Sequence, residues 1–255
     1  MSAQEPSQEW SAAAVLAELQ VSGSQENRAG MARFGIDASS AFGVPMSVLR
    51  PLARRIGMSP QLADELWETG RHEARLLAIL LTPPESLAPD RAMAWMEDIR
   101  SWDLCDQFAN VLARRPGSDQ LVPVLVADER EFVRRAGFAL MAWRAVHAKT
   151  VPDTEFLNYL NLIRAQSTDE RNFVWKAVHW ALRQIGKRSA ALHDPALDLS
   201  RQLCESQNKT SRRIGREAQK ELSSEKVLTR LKAAGAVGHS IVALLLPWRL
   251  RRAMR

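Results

Sequence analysis

The sequence predicts an all-α fold, an α-solenoid of stacked helix pairs, and three observations lead to this prediction. Leu and Ala recur at positions i, i+3, i+4 and i+7 along most of the chain, the spacing of one apolar helix face. No run of alternating β-branched residues exceeds a few positions, so strands are not expected. A phrase that opens with polar residues and continues into an apolar helix returns about every 30 to 40 residues, the period of stacked helical repeats.

The recurring phrase defines five repeats. Its versions are HEARLLAILL at 72–81, SWDLCDQFANVLAR at 101–114, REFVRRAGFALMA at 130–142, RNFVWKAVHWALRQ at 171–184 and SRRIGREAQKEL at 211–222. The corresponding ends of successive helices line one face of such a stack, and here those ends are rich in Arg and Trp. A concave surface of that composition suits a nucleic-acid backbone.

Capping residues and helix stops divide the chain into about twelve helices of roughly 8 to 16 residues. The predicted starts are Ser59-Pro60, Asp153 to Glu155, Ser167 to Glu170, and Asp194-Pro195. The predicted stops are Pro83-Pro84 and Arg115-Pro116-Gly117. Residues 22–44 are the least periodic stretch, and we expect them to form a loop with a short helix.

Composition favours a cytoplasmic protein with a polyanionic partner, and association with the nucleoid follows if that polyanion is DNA. Its 255 residues, 46% of them hydrophobic, are enough for one elongated repeat domain. Lys and Arg outnumber Asp and Glu by 35 to 29, which favours nucleic acid over a merely solvated basic surface. The two cysteines, Cys105 and Cys204, have no metal-ligand spacing. We therefore expect neither a disulfide framework nor a bound metal.

Both ends are expected to lie outside the repeat domain, which we place at residues 10–222. Residues 1–9 are expected to be disordered, and the N-terminus has no apolar segment of signal length. Residues 223–255 form a basic, partly apolar tail. Its uncharged run from Ala233 to Trp248 has 16 residues, which is short for a transmembrane helix. The tail is expected to be a flexible end, or else a weak contact to a membrane or to DNA.

Two of the repeats place aromatic, acidic and basic side chains on shared helix faces. Trp102 and Asp106 are four residues apart and so lie on one face, a turn from each other. The next repeat carries Arg134 and Arg135 in its first turn. The set offers a flat apolar wall for a sugar or base, a carboxylate beside a developing cation, and guanidinium groups for phosphate.

The fourth repeat adds Trp180, which lies three residues before Arg183 and shares a face with it. Together with the preceding set, these residues form the candidate site. Common catalytic motifs are absent: the chain has no GxSxG, GxxxxGK[ST], GxGxxG or HExxH. Their absence excludes the common hydrolases, ATPases, dehydrogenases and zinc peptidases that carry them.

Several of these residue types also fit structural roles. Asp106 fits an ordinary ion pair with a neighbouring Arg, and Asp103 fits an acid at a helix start. His72 and Glu73 fit hydrogen-bonding residues between repeats, and His179 fits a packed or solvated side chain. The tryptophans expected in the core are Trp67, Trp95, Trp143 and Trp175.

The phrases as a set resemble the DNA alkylation repair glycosylases of the AlkD type. The matching segments are MARFGI at 31–36, GVPMSVLRPLARRIG at 43–57, LWETGRHEARLLA at 66–78, SWDLCDQ at 101–107, EFVRRAGFALMA at 131–142 and RNFVWKAVHWALRQIGKR at 171–188. The resemblance covers roughly residues 10–222. It implies HEAT-like helical repeats in a C-shaped solenoid with a concave basic groove.

The resemblance also implies an activity and its residues. Family members wrap double-stranded DNA and release N3- and N7-alkylated purines, with no metal or nucleotide cofactor and without the need to flip the base. It assigns catalysis to Asp106, Trp102 and Trp180. It assigns DNA contacts to Arg135 and Arg183, to which we add Arg134 and the residue after MAR. The family has a hydroxyl-bearing aromatic there and this chain has Phe34, so one hydrogen bond to DNA is expected to be lost.

The expected partner is therefore double-stranded DNA that carries alkylated bases, bound by a monomer. Two other interpretations stay open at this point. One is a DNA-binding repeat protein without catalysis. The other is a HEAT-type scaffold whose groove holds an acidic peptide.

Overall fold

The computed structural model describes residues 10–233, and every regular element among them is helical. The α-helices are α1 (Ala12–Val21), α2 (Gln25–Arg33), α3 (Met46–Ile56), α4 (Pro60–Glu68), α5 (His72–Leu81), α6 (Pro89–Asp98), α7 (Trp102–Leu112), α8 (Leu121–Ala127), α9 (Glu131–His147), α10 (Asp153–Ala165), α11 (Asn172–Gly186), α12 (Ala190–Cys204), α13 (Lys209–Leu222) and α14 (225–233). Within this range, none of the helices combines the length and apolarity needed to cross a membrane.

The recurring phrase marks every second helix. It corresponds to α5, α7, α9, α11 and α13, and the even-numbered helices α6, α8, α10 and α12 lie between them in the sequence. Neighbours in sequence pack as pairs, as α4 does with α5, α10 with α11 and α12 with α13. The predicted all-α class and the predicted pairing of helices are thus confirmed.

The described chain divides into two compact units. The first unit runs to Leu121 and includes Asp128–Ala136. Its centre is α5, in which eight of ten residues are buried, and which packs against α1, α3, α4 and α7. Trp67 stacks on Trp95 with 4.2 Å between ring centroids, so the prediction that both belong to the core is confirmed.

The second unit comprises Val122–Ala127 and the chain from Gly137 onward. Its central helix is α11, with nine of fifteen residues buried, which packs against α10, α12 and α13. Gly215 lets α13 approach the backbone of α12, because a Cβ at this position would lie 2.6 Å from the carbonyl oxygen of Ser200. Helices that cross this closely gain dispersion contacts along both backbones.

Two predicted helix starts are wrong, and helical packing continues past Leu222. Helix α11 begins at Asn172 instead of within Ser167 to Glu170, because Asp169 forms a turn by accepting the amide of Arg171 at 3.0 Å. Helix α12 begins at Ala190 instead of Asp194-Pro195, because Ser189 caps it by accepting the amide of Leu192 at 3.2 Å. Pro195 then lies inside the helix, where it removes one backbone donor. Past Leu222, α14 buries Val227 and Leu231. The predictions for residues 1–9 and for the tail from 234 onward lie outside the described residues.

Candidate active site

Helix α7 begins at Trp102, and a main-chain carbonyl holds the indole of this residue. The indole Nε1 donates a hydrogen bond to the carbonyl oxygen of Phe34 at 3.0 Å. Phe34 directly follows α2 as its C-cap residue, and it is 70% exposed. Because the polar edge of Trp102 is satisfied, its half-exposed ring is left as a fixed apolar surface at the start of α7.

Asp106 lies one helical turn after Trp102 and forms a bidentate ion pair with Arg135. The Arg135 Nε donates to Oδ1 at 3.0 Å, and Nη2 donates to Oδ2 at 2.8 Å. The side chain of Asp106 is 18% exposed and that of Arg135 is 7% exposed. Parallel hydrogen bonds of this kind fix the plane of the carboxylate as well as its charge. The carboxylate is thus oriented and mostly dry, yet reachable from solvent.

Burial and the ion pair have opposite effects on the charge of Asp106. Burial raises the pKa of the carboxyl group above its ordinary value, and the Arg135 guanidinium opposes that rise. The bidentate contact with Arg135 therefore favours the ionised form of the carboxyl group against the effect of burial. The adjacent thiol of Cys105 is different, because complete burial raises its pKa far above its ordinary value. Cys105 is therefore a packed side chain and not a nucleophile.

The structure gives the two predicted DNA-binding arginines of α9 intramolecular partners. Arg134 is partly exposed, and its Nε donates to the carbonyl oxygen of Asp128 at 2.8 Å. Arg135 is buried against Asp106, as described above. Arg135 therefore lies where it can orient the carboxylate of Asp106. Its burial does not favour the predicted contact with a DNA phosphate.

A second ion pair joins α5 to α7 beside the site. His72 Nε2 lies 2.8 Å from Oδ2 of Asp103, and the His72 side chain is 4% exposed. Burial would raise the pKa of Asp103, but the hydrogen bond and charge of His72 lower it below its ordinary value. The predicted role of His72 as a link between repeats is confirmed, as is the position of Asp103 in the first turn of a helix.

Glu73 has the hydrogen-bonding role predicted for it, and its partner is a loop that the sequence pattern did not indicate. Its buried carboxylate accepts three backbone amides: Phe42 at 2.8 Å on Oε2, and Gly43 at 2.7 Å and Val44 at 3.1 Å on Oε1. A carboxylate with no exposed surface must be compensated by hydrogen bonds of this kind. The feature of the sequence that could have indicated a buried, hydrogen-bonded carboxylate is the acidic residue within the mostly apolar segment HEARLLAILL.

In the second unit, Trp180 of α11 packs edge-to-face against Trp143 of α9, with 5.4 Å between ring centroids. Both rings are partly exposed, so Trp143 is less buried than its predicted core position implies. Trp175 lies in the core as predicted, and the guanidinium of Arg213 lies 4.0 Å from its ring centroid. Trp180 is therefore the partly exposed tryptophan of α11, which agrees with its selection as a candidate.

Arg183 lies one turn after Trp180 and pairs with Glu221 of α13. Lys187, the residue that directly follows α11, binds the same carboxylate. Burial would raise the pKa of Glu221, but the hydrogen bonds from Lys187 and Arg183 lower it below its ordinary value. Two cations share one carboxylate here, so this end of α11 carries a net positive charge.

The predicted site residues thus fall into two groups. The first unit brings together Phe34, Trp102, Asp106, Arg134 and Arg135 at the C-cap of α2, on α7 and in the first turn of α9. The second unit contains Trp180 and Arg183, which share one face of α11. The Trp102–Phe34 hydrogen bond was not predicted, because a main-chain acceptor leaves no mark in the residue pattern.

His179, adjacent to Trp180, makes the stability of the protein depend on pH. Burial, reinforced by the charge of Arg183, lowers its pKa to about 4, against about 6.5 in an unfolded chain. Because the unfolded state binds the proton more tightly, stability falls as the pH drops from 6.5 towards 4, by up to about 3 kcal/mol. We expect urea unfolding of His179→Gln to show a correspondingly weaker loss over this range. An unchanged pH dependence would contradict this, with His147→Gln as the control for an exposed histidine.

Similarity to known proteins agrees with this geometry. The model of a family described as "DNA alkylation repair enzyme" matches residues 15–222. A solved structure described as belonging to a new family of proteins related to the HEAT-like repeat DNA glycosylases, with affinity for branched DNA structures, has a TM-score of 0.71 and 18% identity. That match covers 83% of this chain and 95% of the other. It confirms the HEAT-like helical-repeat fold. No curated protein sequence is significantly similar to the chain.

Proposed function

The chain belongs to the DNA alkylation repair enzyme family, and on that premise we propose that it is a DNA glycosylase. Its substrate is double-stranded DNA that carries cationic N3- or N7-alkylated purines. The reaction breaks the bond between the purine and C1′ of the deoxyribose. The bonding electrons leave with the base, which becomes neutral, and a water adds to C1′ and loses a proton. The products are the free alkylpurine and an abasic site.

The observation that carries this proposal is the fixed and mostly buried carboxylate of Asp106. A cationic purine departs without protonation, so the enzyme needs no general acid. It needs a preorganised anion beside the oxocarbenium-like sugar, and such an anion is most effective where water is excluded. Asp106 meets this description, because Arg135 holds both of its oxygens and only 18% of its side chain is exposed. Asp106 also orients the attacking water in this mechanism.

The remaining candidate residues supply aromatic surfaces for the DNA and positive charges for its phosphates. Trp102 presents a fixed ring one turn from Asp106, and Trp180 presents a second partly exposed ring on α11. In the proposed mechanism Trp102 packs against the deoxyribose, and Trp180 is an apolar contact for the DNA. Arg134 and Arg183 contact phosphates, and much of the affinity is therefore electrostatic and falls with salt. Recognition then depends on the labile charged base and on the easier distortion of a damaged pair.

The test is release of modified purines from methylated duplex DNA by the purified protein. We expect 3-methyladenine or 7-methylguanine to appear, with abasic sites in equal amount. Unmethylated duplex of the same sequence is the control, and it should release nothing. Tight, salt-sensitive binding without any release would contradict the glycosylase assignment.

A second candidate is a repeat protein that binds branched DNA without excision. The solved structure that shares this fold is described as having affinity for branched DNA, and Phe34 replaces the hydroxyl-bearing aromatic of the resembled family. Binding to a four-way junction and to a duplex of equal length distinguishes the candidates. Preference for the junction, with no purine release from either DNA, would favour this alternative.

Phe34→Tyr is expected to strengthen DNA binding. Phe34 is 70% exposed, so an added hydroxyl meets water and not the protein core. One new hydrogen bond to a phosphate or sugar contributes about 1 kcal/mol, or roughly a five-fold decrease in Kd. The carbonyl that holds Trp102 belongs to the main chain and is unaffected. Titration of both proteins with methylated duplex checks this, and equal Kd values would contradict it.

A further inference from the structure

A basic cavity of about 400 Å³ lies in the second unit, where the last described helix packs against α11 and α13. Lys187, which directly follows α11, and Glu221 from α13 line it, together with Ser224 and with Lys226 and Arg230 from α14. The family match ends at residue 222, so α14 and its side chains are additional to the matched region. The volume of the cavity is within the range of small-molecule sites, and it accommodates a phosphodiester with its flanking sugars.

Burial of one side of α14 fixes the cations that line this cavity. Val227 and Leu231 are four residues apart and are each 7% exposed. Lys226 and Arg230 immediately precede them with the same spacing, so they project together beside the buried pair. Ser224 begins the helix by accepting the amides of Val227 and Leu228 at 3.0 and 3.1 Å.

The cavity has more positive than negative charge. Glu221 is its carboxylate, and this group is already paired with Arg183 and Lys187. Lys226 and Arg230 have no carboxylate partner among residues 10–233; Arg230 reaches only the carbonyl oxygen of Lys187, at 3.5 Å.

Three cations (Lys187, Lys226 and Arg230) and one carboxylate (Glu221) line the cavity, which gives it a local charge of +2. Glu225, the first residue of α14, is exposed and does not line the cavity. An excess of this kind in a concave site attracts an anion.

We propose that this cavity binds a backbone phosphodiester of DNA through Lys226 and Arg230, an inference that rests on the proposed function. A guanidinium and an ammonium on one side of a cavity match the oxygens of a phosphate, which several cations can contact at once. Such a contact adds affinity without reading sequence. It extends the DNA-binding surface of the chain beyond the region shared with the family.

The test compares two double variants of equal charge. Lys226→Gln/Arg230→Gln removes the two α14 cations of the cavity. Lys220→Gln/Lys232→Gln removes two exposed lysines of α13 and α14 that do not line it. Binding to an undamaged duplex is measured over a series of salt concentrations, and thermal melts verify that both variants are folded.

We expect the cavity variant to reduce the slope of log Kobs against log[salt] by about one, the value of one lost phosphate contact. Its affinity at low salt should fall roughly ten-fold, while the control variant changes it by less than about two-fold. The control variant should keep the wild-type rate of purine excision, because Lys220 and Lys232 line neither the cavity nor the site around Asp106.

Equal slopes for the two variants, with wild-type binding intact, would overturn the cavity assignment and leave the proposed function standing. A wild type that neither binds DNA nor releases purines would overturn both. A further experiment adds inorganic phosphate at constant ionic strength and measures the thermal stability of the wild type and of the cavity variant. If phosphate stabilises the wild type but not the cavity variant, and the DNA slopes are equal, the ligand is a small phosphorylated molecule instead of DNA.

Discussion

Asp106→Asn is expected to reduce excision of methylated purines by at least about 100-fold, while duplex binding changes by no more than a few-fold. Replacing the carboxylate with an amide removes the negative charge that stabilises the sugar cation, and loss of one preorganised electrostatic group typically lowers the rate by this amount. Asn retains the shape of Asp and one oxygen that can accept from Arg135. Single-turnover release with saturating protein measures the chemical step apart from binding.

The control for this substitution is Asp198→Asn, which makes the same change in an exposed Asp–Arg pair of α12. It should leave the excision rate within about two-fold of the wild type. Because Asp106→Asn disturbs a buried pair, its thermal melt must also be recorded. Excision at the wild-type rate by a folded Asp106→Asn would eliminate the proposed mechanism.

Glu73→Gln is expected to lower the free energy of unfolding by about 3 to 5 kcal/mol, the range for breaking a buried charged network. The new side chain keeps one accepting oxygen, but its NH₂ group cannot accept a hydrogen bond and faces one or more of the amides of Phe42, Gly43 and Val44. Those donors are then buried without acceptors. For a chain of this size, the melting temperature should fall by roughly 10 °C.

Glu68→Gln on α4 is the matched control, since Glu68 is exposed, and it should change the stability by less than about 0.5 kcal/mol. Urea unfolding of both variants at pH 7 gives the comparison. Stability equal to that of the wild type in Glu73→Gln would show that the loop at residues 42–44 finds other acceptors or is held by its apolar contacts alone.

The fold was largely predictable, because each repeat carries its own local pattern. The phrase that opens with polar residues marks α5, α7, α9, α11 and α13, and helix periodicity is a local property of the sequence. The start of α12 was predicted wrongly because a proline was given more weight than the cap at Ser189. Helix α14 was assigned to the tail because it is short and mostly polar, and only tertiary packing shows that Val227 and Leu231 are buried.

The residues of the candidate site could be selected from the sequence, but the hydrogen bonds and ion pairs that they form could not be predicted. Spacing alone places Trp102 and Asp106 on one face of α7. It does not show that Arg135 binds Asp106 with both nitrogens, or that Arg183 and Lys187 share Glu221. These partners lie 29 to 38 positions apart in the sequence, and their pairing depends on how the helices stack. For the same reason the sequence did not indicate that Arg135 is buried against Asp106.

The hydrogen bond from Trp102 ends on a carbonyl, so it does not depend on which side chain occupies position 34. Substitutions at this position can therefore tune how the exposed ring meets a ligand while the indole keeps its anchor. Position 34 is a suitable place to randomise when altered lesion preference is sought, because variants there should retain both folding and the carboxylate geometry of Asp106. A library of variants at position 34 changes how the protein meets its ligand and leaves the carboxylate of Asp106 in place. Substitutions within α7 would alter both at once.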